Sequence, residues 1–367
     1  MKRRGRRAPW LLLWCAALLC PTLRGQDAGH WNGEQFRQTV WSVEQGAPAD
    51  IWALAQDRDG FLWLGTGSGL YRFDGVAFER FEPRQGENLR TNDITALSMQ
   101  PDGTLWIGLF HGGASALRDG RLTSYSARDG FPTSMVTSFA RTADGALWAA
   151  SRGGLARFDG TRWEIAGADW NYPAARAEWV MTDRDGTLWV TTGDELLSLR
   201  RGGHRFEATG IRVARDTTLS QAPDGRIWLS SGPRGTSALP AAPAAQPSEG
   251  LREDPALVHS KRLLFDRRGY LWGTEAMRGG VYRIDAPARL ADGRALRASA
   301  FDALHDRGGG LPSNVAVPLL EDREGTVWVG TNLGLASYHA NNVRVPPGSK
   351  VGPGINTALA ADAQGTL

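Results

Sequence analysis

The side chains that could catalyse a reaction or bind a metal are few in this chain, and they stand far apart. The six histidines occur singly, without the spacing of a metal site: His30, His111, His204, His259, His305 and His339. No Gly-x-Ser-x-Gly motif marks a nucleophilic serine. The glycines of residues 65–69 resemble a phosphate loop, but they lie between two predicted strands and not before a helix. We therefore expect no catalytic residue, no metal site and no cofactor.

Two Asp-x-Asp pairs could supply calcium ligands, Asp57 with Asp59 and Asp183 with Asp185. The further oxygen ligands of a calcium loop do not follow them. Both pairs instead belong to an Asp-Gly turn that precedes a short strand with a tryptophan, a unit that recurs at intervals of 39 to 56 residues. The seven tryptophans of this unit are Trp63, Trp106, Trp148, Trp189, Trp228, Trp272 and Trp328.

A period near 40 to 50 residues with about four short strands is typical of a β-propeller blade. In the first unit, the alternation of apolar residues predicts strands at residues 51–56, 61–66, 70–73 and 77–81, with Asp-Gly turns between them. The tryptophans would pack one blade against the next. The sequence therefore predicts an all-β protein, a propeller of four-stranded antiparallel blades.

The two ends of the repeat predict how the ring closes. Residues 36–42 resemble an outermost strand without the three strands that should precede it. Because a terminal strand usually completes the blade formed by the other end, we expect this strand to pair with the unit of Trp328, giving seven blades. An eighth unit, residues 347–367, breaks off before its tryptophan, and we interpret it as the start of a second propeller.

Charge and the N-terminal segment bear on location. Residues 1–25 hold six of the 42 basic residues and no acid, so the rest carries 36 basic against 39 acidic residues. This balance argues against a nucleic-acid partner. The apolar run at residues 9–20 is too short to span a bilayer comfortably but suits a secretory signal, so we predict a signal peptide over residues 1–25. Both cysteines, Cys15 and Cys20, lie inside it.

Two stretches interrupt the regular spacing. Residues 232–255 contain five prolines among alanine and serine, and we interpret them as an exposed excursion between blades and not as strands. A second excursion, about residues 286–310, accounts for the longest interval between tryptophans.

Several segments of the repeat are similar to sequences of the two-component regulator propeller family. These segments are Trp-Ser-Val-Glu-Gln-Gly-Ala-Pro at residues 41–48 and Leu-Trp-Leu-Gly-Thr-Gly-Ser-Gly-Leu-Tyr-Arg-Phe-Asp-Gly at residues 62–75. Related segments occur at residues 153–160 and 330–335. The resemblance implies a periplasmic sensor domain, here residues 31–346, that is exported and belongs to a bacterial membrane signalling protein. It also implies a homodimer anchored in the inner membrane, whose output domain is most often a histidine kinase acting on a cytoplasmic response regulator and sometimes a diguanylate cyclase.

The repeats differ from one another on one face only. In a four-stranded blade, the loop between the second and third strands and the connection between blades share a face, and these segments vary while the Asp-Gly turns do not. We expect a small-molecule or oligosaccharide ligand, carbohydrate above all, to bind there. The candidate ligand-binding residues are Asp50, Asn92, Phe110, His111, Arg152, Glu178, Trp179, Arg278 and Asn332. A propeller enzyme such as a lyase and a non-catalytic dimerisation scaffold remain as alternatives.

Overall fold

Each unit of the repeat forms one antiparallel sheet, and the seven sheets are the blades of a β-propeller. The computed structural model describes residues 36–231, 235–239, 256–275, 279–284, 295–297 and 310–340. The predicted all-β, seven-bladed architecture is confirmed. The predicted signal peptide and the predicted start of a second propeller lie outside the described residues.

Strand β1 (Phe36–Ser42) comes first in the chain and belongs to the last blade. Blades 1 to 4 then follow, each with four strands that pair in sequence order. Their strands are β2 (Ile51–Gln56), β3 (Leu62–Thr66), β4 (Gly69–Phe73) and β5 (Phe78–Arg80); β6 (Ile94–Met99), β7 (Leu105–Leu109), β8 (Ala114–Arg118) and β9 (Arg121–Tyr125); β10 (Val136–Arg141), β11 (Leu147–Ser151), β12 (Gly154–Phe158) and β13 (Trp163–Ile165); β14 (Trp179–Thr182), β15 (Leu188–Thr191), β16 (Glu195–Leu199) and β17 (Glu207–Arg212).

Blades 5 and 6 each show three strands within the described residues, and blade 7 shows three strands before β1 is added. These strands are β18 (Thr218–Gln221), β19 (Ile227–Ser231) and β20 (Gly235–Ala238); β21 (Ser260–Phe265), β22 (Leu271–Glu275) and β23 (Val281–Ile284); β24 (Ala316–Glu321), β25 (Val327–Thr331) and β26 (Gly334–Ala340). Single 3-10 turns occur at Val43–Gln45, Ala127–Asp129 and Ala168–Trp170. The first strands of successive blades contact one another around the ring, including β24 with β2, and so surround a central channel.

The ring closes through β1, as the sequence predicts. This strand pairs antiparallel with β26 along its whole length, from Phe36 opposite Ala340 to Ser42 opposite Gly334. Its Trp41 stacks on Trp328 of blade 7 at 5.6 Å and meets Phe73 of blade 1 edge-on at 5.1 Å. The N-terminal strand therefore completes blade 7 and also packs against blade 1.

The repeated tryptophans pack between blades, which confirms their predicted role. Trp106 of blade 2 lies edge-on to Phe158 and Trp163 of blade 3 at 5.0 and 5.3 Å. Trp272 of blade 6 is fully buried against Phe36 of blade 7. Because large aromatic surfaces are removed from water at successive blade interfaces, the ring holds together without a disulfide.

Two predicted excursions need correction. Residues 235–238, inside the stretch interpreted as an exposed excursion, form strand β20 and are mostly buried. Leu296, inside the second stretch, is fully buried, and its amide donates to the Thr236 carbonyl at 2.8 Å. The described part of the second excursion therefore pairs with blade 5. Composition misled here because small residues, which suit a loop, also fit a strand packed tightly between neighbours.

Candidate functional site

The ends of the strands define two faces of the propeller. The hairpin face carries the Asp-Gly turns between the first and second strands. The variable face carries the loops between the second and third strands, such as the one that begins at Phe110 and the one that begins at Arg152, together with the connections that lead into each first strand. This arrangement follows from the antiparallel order that the sequence predicts.

A cavity of about 340 Å³ opens at the variable-face end of the channel. Its lining comes from blades 1, 2, 3, 6 and 7 and combines aromatic, polar and charged side chains. The members of chief interest are Trp52, Asp93, Thr95, Phe110, Arg152 and Arg262. A concave site of this volume with a few polar groups among apolar ones has the usual character of a small-ligand pocket.

β-bulges aim several of these side chains into the cavity. The register of the first strand shifts between Ile51 and Ala53 in blade 1, which leaves Trp52 outside the ladder. The same shift isolates Thr95 in blade 2 and Thr137 in blade 3, and all three bulged residues line the cavity. A bulge bends its strand and redirects the extra side chain. The repeated irregularity therefore builds the pocket wall.

None of these bulged residues is among the candidates predicted from the sequence, because they lie on strands and the candidates were assigned to the variable loops and connections. A signal was present, because the second residue of the first strand changes between tryptophan and threonine where its preceding neighbours, Ile51, Ile94 and Val136, are uniformly apolar. A repeat position that varies while its neighbour stays apolar is not needed for packing the blades, so its side chain is free to serve binding.

Arg152 is the centre of a charge cluster beside the cavity. Its guanidinium lies 2.9 Å from Asp216 and 3.5 Å from Glu178. The Glu178 side chain is only 2% exposed and also pairs with Arg176 at 3.1 Å. Glu178 therefore lies behind Arg152 and holds it at the pocket wall; it does not line the cavity itself.

Arg262 and Trp179 form a second unit, within the channel. The guanidinium carbon of Arg262 lies 4.5 Å from the centre of the Trp179 ring, a cation–π contact. Desolvation lowers the pKa of Arg262 to about 10, and Asp216 partly offsets that effect. The face of Trp179 that was predicted to stack on a ligand is therefore occupied by Arg262.

Asp93 lies on the cavity wall beside two other titratable groups. Desolvation raises the pKa of its carboxyl, the charge of His111 lowers it, and the charge of Asp50 raises it again. His111 is exposed and lies edge-on to Phe110, with the ring centres 5.0 Å apart. Within the described part of the chain, His111 makes no hydrogen bond or ion pair.

The remaining sequence-predicted residues lie at the rim or elsewhere. The Asp50 amide donates to the Asn332 carbonyl at 3.1 Å, which ties blade 1 to blade 7, and Asn92 is exposed. Arg278 lies outside the described residues. Of the predicted residues, Phe110 and Arg152 line the cavity, and Glu178 and Trp179 contact arginines of its wall. Asp50 and His111 shift the pKa of Asp93 through their charges.

Over the ranges that the structure describes, no group of three or more His, Cys, Asp or Glu side chains is arranged to hold a metal ion. No helix in the same ranges is long and apolar enough to cross a membrane.

Two segments, residues 45–68 and 310–333, match the two-component regulator propeller family. Each contains a turn of the repeat, residues 57–60 or 322–325, and the tryptophan that follows it, Trp63 in blade 1 or Trp328 in blade 7. The resemblance to this family predicted from the sequence is therefore confirmed. No curated protein matches the chain.

Solved structures share the fold. The extracellular domain of the hybrid two-component system BT3049 from B. thetaiotaomicron superimposes with a TM-score of 0.62 at 17% identity, over 81% of this chain and 40% of that one. The corresponding domain of BT4673 gives 0.62 at 19% identity, over 83% and 40%. A streptogramin B lyase gives 0.59 at 14% identity, over 84% and 98%. The chain thus spans about 40% of the length of the two extracellular domains.

Proposed function

We propose that this chain is the extracytoplasmic ligand-sensing propeller of a bacterial two-component signalling protein, with the ligand bound at the variable-face end of the channel. The observation that carries the proposal is the cavity itself, walled by bulged residues from different blades. A ring of identical repeats would give a uniform channel, whereas Trp52, Thr95 and Arg152 make this end chemically asymmetric. The family match supports the signalling role.

The ligand class that best suits the cavity is a carbohydrate. Trp52 and Phe110 offer aromatic surface, and Thr95, Asp93 and Arg152 offer hydrogen-bonding groups. Sugar rings pack on aromatic faces while their hydroxyls need fixed donors and acceptors. A cavity of about 340 Å³ suits a ligand of one or two sugar rings.

The rest of the signalling protein supplies the output in this proposal. A signal peptide exports the propeller to the periplasm, an inner-membrane segment anchors it, and the receptor acts as a homodimer. The output domain that we favour is a histidine kinase that phosphorylates a response regulator, and a diguanylate cyclase is the alternative. The propeller has no catalytic role of its own.

A propeller lyase is the second candidate, because the fold is shared with a streptogramin B lyase and because Asp93 and His111 lie together beside the cavity. A lyase needs a general base and acid in contact with the substrate. The two candidates differ in one measurable respect: an enzyme would convert the bound compound, which mass spectrometry of the incubated mixture detects, and a sensor would return it unchanged.

Thermal-shift screening of the exported chain against glycans and small metabolites tests the proposal. A ligand should raise the melting temperature of the wild-type protein, and Arg152→Ala and Trp52→Ala should each remove most of that shift. Arg118→Ala, on the hairpin face, is the matched control and should leave the shift intact. A ligand whose shift survives both cavity variants and is lost in Arg118→Ala would place binding on the hairpin face and overturn the proposal.

A further inference from the structure

Arg262 is a cation in the channel whose charge is not matched by a carboxylate in contact. It lies on the first strand of blade 6, half-buried, and lines the cavity. Its described side-chain contacts are one hydrogen bond from Nη1 to the Lys261 carbonyl at 2.8 Å and the ring of Trp179. Neither contact supplies a negative charge.

The guanidinium of Arg262 keeps donors free for a ligand. A guanidinium carries five N–H donors, and among the described residues only Lys261 accepts from this one. The contact with the Trp179 ring, 4.5 Å from the guanidinium carbon to the ring centre, holds the group at the cavity wall. Lost hydration without a full replacement is the physical reason for its lowered pKa.

The neighbouring Arg152, in contrast to Arg262, is paired with carboxylates. Arg152 has two carboxylate partners, Glu178 and Asp216, and Glu178 also pairs with Arg176. The charge of Asp216 also acts on Arg262 and partly offsets its desolvation, but among the described residues no carboxylate forms an ion pair with Arg262. Asp93, the acidic side chain on the cavity wall, belongs to blade 2, whereas Arg262 belongs to blade 6.

We propose that Arg262 binds the carboxylate of an acidic sugar, so that the ligand is a uronic acid or a short oligosaccharide ending in one. A planar carboxylate accepts two parallel hydrogen bonds from a guanidinium edge, and such charge-assisted pairs are strong where water is scarce. Asp93 repels a second negative charge, so the neutral hydroxyls of the sugar point toward it. This inference rests on the proposed function, since it assumes that the cavity is the ligand site.

Calorimetric titration with matched sugars tests the inference. Glucuronate is compared with glucose and galacturonate with galactose, because each pair differs only in the carboxylate. The acidic member should bind at least about tenfold more tightly to the wild-type chain. The preference should disappear in Arg262→Gln, persist in part in Arg262→Lys, and stay unchanged in the hairpin-face control Arg118→Gln.

The outcomes separate the inference from the proposed function. If a neutral sugar binds as tightly as its acid and Arg152→Ala abolishes both, the cavity is the ligand site and the role of Arg262 is refuted. If Arg262→Gln keeps the full preference for the acid, the carboxylate binds elsewhere and the role of Arg262 is again refuted. The wild-type comparison needs no variant, so a folding defect in Arg262→Gln does not protect the inference.

Discussion

The indole nitrogen of Trp272 donates a 2.8 Å hydrogen bond to Asp266 Oδ2, and both side chains are buried. Asp266 Oδ1 accepts from two amides of its own turn, those of Arg268 at 3.0 Å and Tyr270 at 2.9 Å. One carboxylate thus connects the hairpin turn to the tryptophan that packs between blades. The residue six positions before the tryptophan is aspartate in four blades and makes the same contact in blades 1, 4 and 7.

Asp266→Ala should lower the free energy of unfolding by about 3 kcal/mol, because it leaves a buried indole donor and two turn amides without their acceptor. Urea denaturation followed by tryptophan fluorescence measures the change. Asp59→Ala, which removes an exposed turn carboxylate, is the control and should stay within about 0.5 kcal/mol of the wild type. Equal losses in the two variants would contradict the role of the Trp272 contact.

In blade 5, the missing aspartate can be added instead of removed. Ala222 stands six residues before Trp228, and the buried Trp228 Nε1 has no hydrogen-bond partner. Ala222→Asp should supply that partner and raise the free energy of unfolding by about 1 kcal/mol. Ala222→Asn, which fills the same space without a full charge, separates the hydrogen bond from the cost of burying a carboxylate. A loss of stability in both variants would show that the site cannot accommodate the side chain.

The fold could be predicted because the information is local and repeated. The Asp-Gly turn, the tryptophan spacing and the orphan strand at Phe36–Ser42 each constrain the same ring, and the structure has all three. The hydrogen bond from four of the repeated tryptophans to the aspartate six residues earlier was not predicted, although both residues were in the repeat. The aspartate was predicted only to accept hydrogen bonds from the amides of its turn, and this role uses one of its two carboxylate oxygens.

The site could be predicted only in part because channel geometry depends on contacts distant in sequence. The variable face is a consequence of topology, and Phe110 and Arg152 follow from it. Trp52 reaches the cavity through a bulge, and Arg262 reaches it because the closed ring brings blade 6 near blades 1 to 3. Neither relationship can be read from a short stretch of sequence. Likewise, Trp179 was predicted as an open stacking surface because the sequence cannot show that Arg262, 83 residues later, covers its face.

Gly334→Ala should destabilise the ring at its closure. Gly334 has φ of +138°, and an added Cβ would lie 2.1 Å from the Trp41 carbonyl oxygen, so the pairing of β1 with β26 must shift. We expect a loss of about 3 kcal/mol in urea denaturation. Gly75→Ala is the matched control, with φ of +97° and no atom within 4 Å of the added Cβ. Its loss should be about 1 kcal/mol, from backbone strain alone. Comparable losses would argue that the closing strand tolerates displacement.

Glu178→Ala should destabilise the chain, because Glu178 is the buried carboxylate that two arginines share. Removing this buried carboxylate leaves Arg152 and Arg176 without their shared partner, which should cost about 3 kcal/mol of unfolding free energy. Asp216→Ala removes a carboxylate that is 68% exposed and should cost less than about 1 kcal/mol. Urea denaturation of both variants at pH 7 measures the difference. A mild effect of Glu178→Ala would mean that solvent already screens both arginines.

Asp93→Asn should change stability in a pH-dependent manner. Desolvation raises the pKa of Asp93 in the folded chain above its ordinary value of 3.8, against the smaller opposing effect of His111. The folded state therefore holds the proton more tightly than the unfolded state does, and this contribution to stability is lost as the pH rises from about 3.8 through the raised pKa. The asparagine variant cannot lose it. Its unfolding free energy minus that of the wild type should increase over this window and then level off.

Asp74→Asn is the control for that experiment, because the amides of Ala77 and Val76 lower the pKa of Asp74. The stabilisation by its carboxylate develops as the pH rises from the lowered pKa to 3.8, so the same difference should fall over that range for Asp74→Asn and then level off. Urea denaturation at several values between about pH 2 and about pH 7 measures both series, below pH 3.8 for Asp74 and above it for Asp93. Opposite slopes for the two variants are expected. Parallel slopes would mean that burial on the cavity wall does not govern the titration of Asp93, and that its carboxylate is as well hydrated as one on the hairpin face.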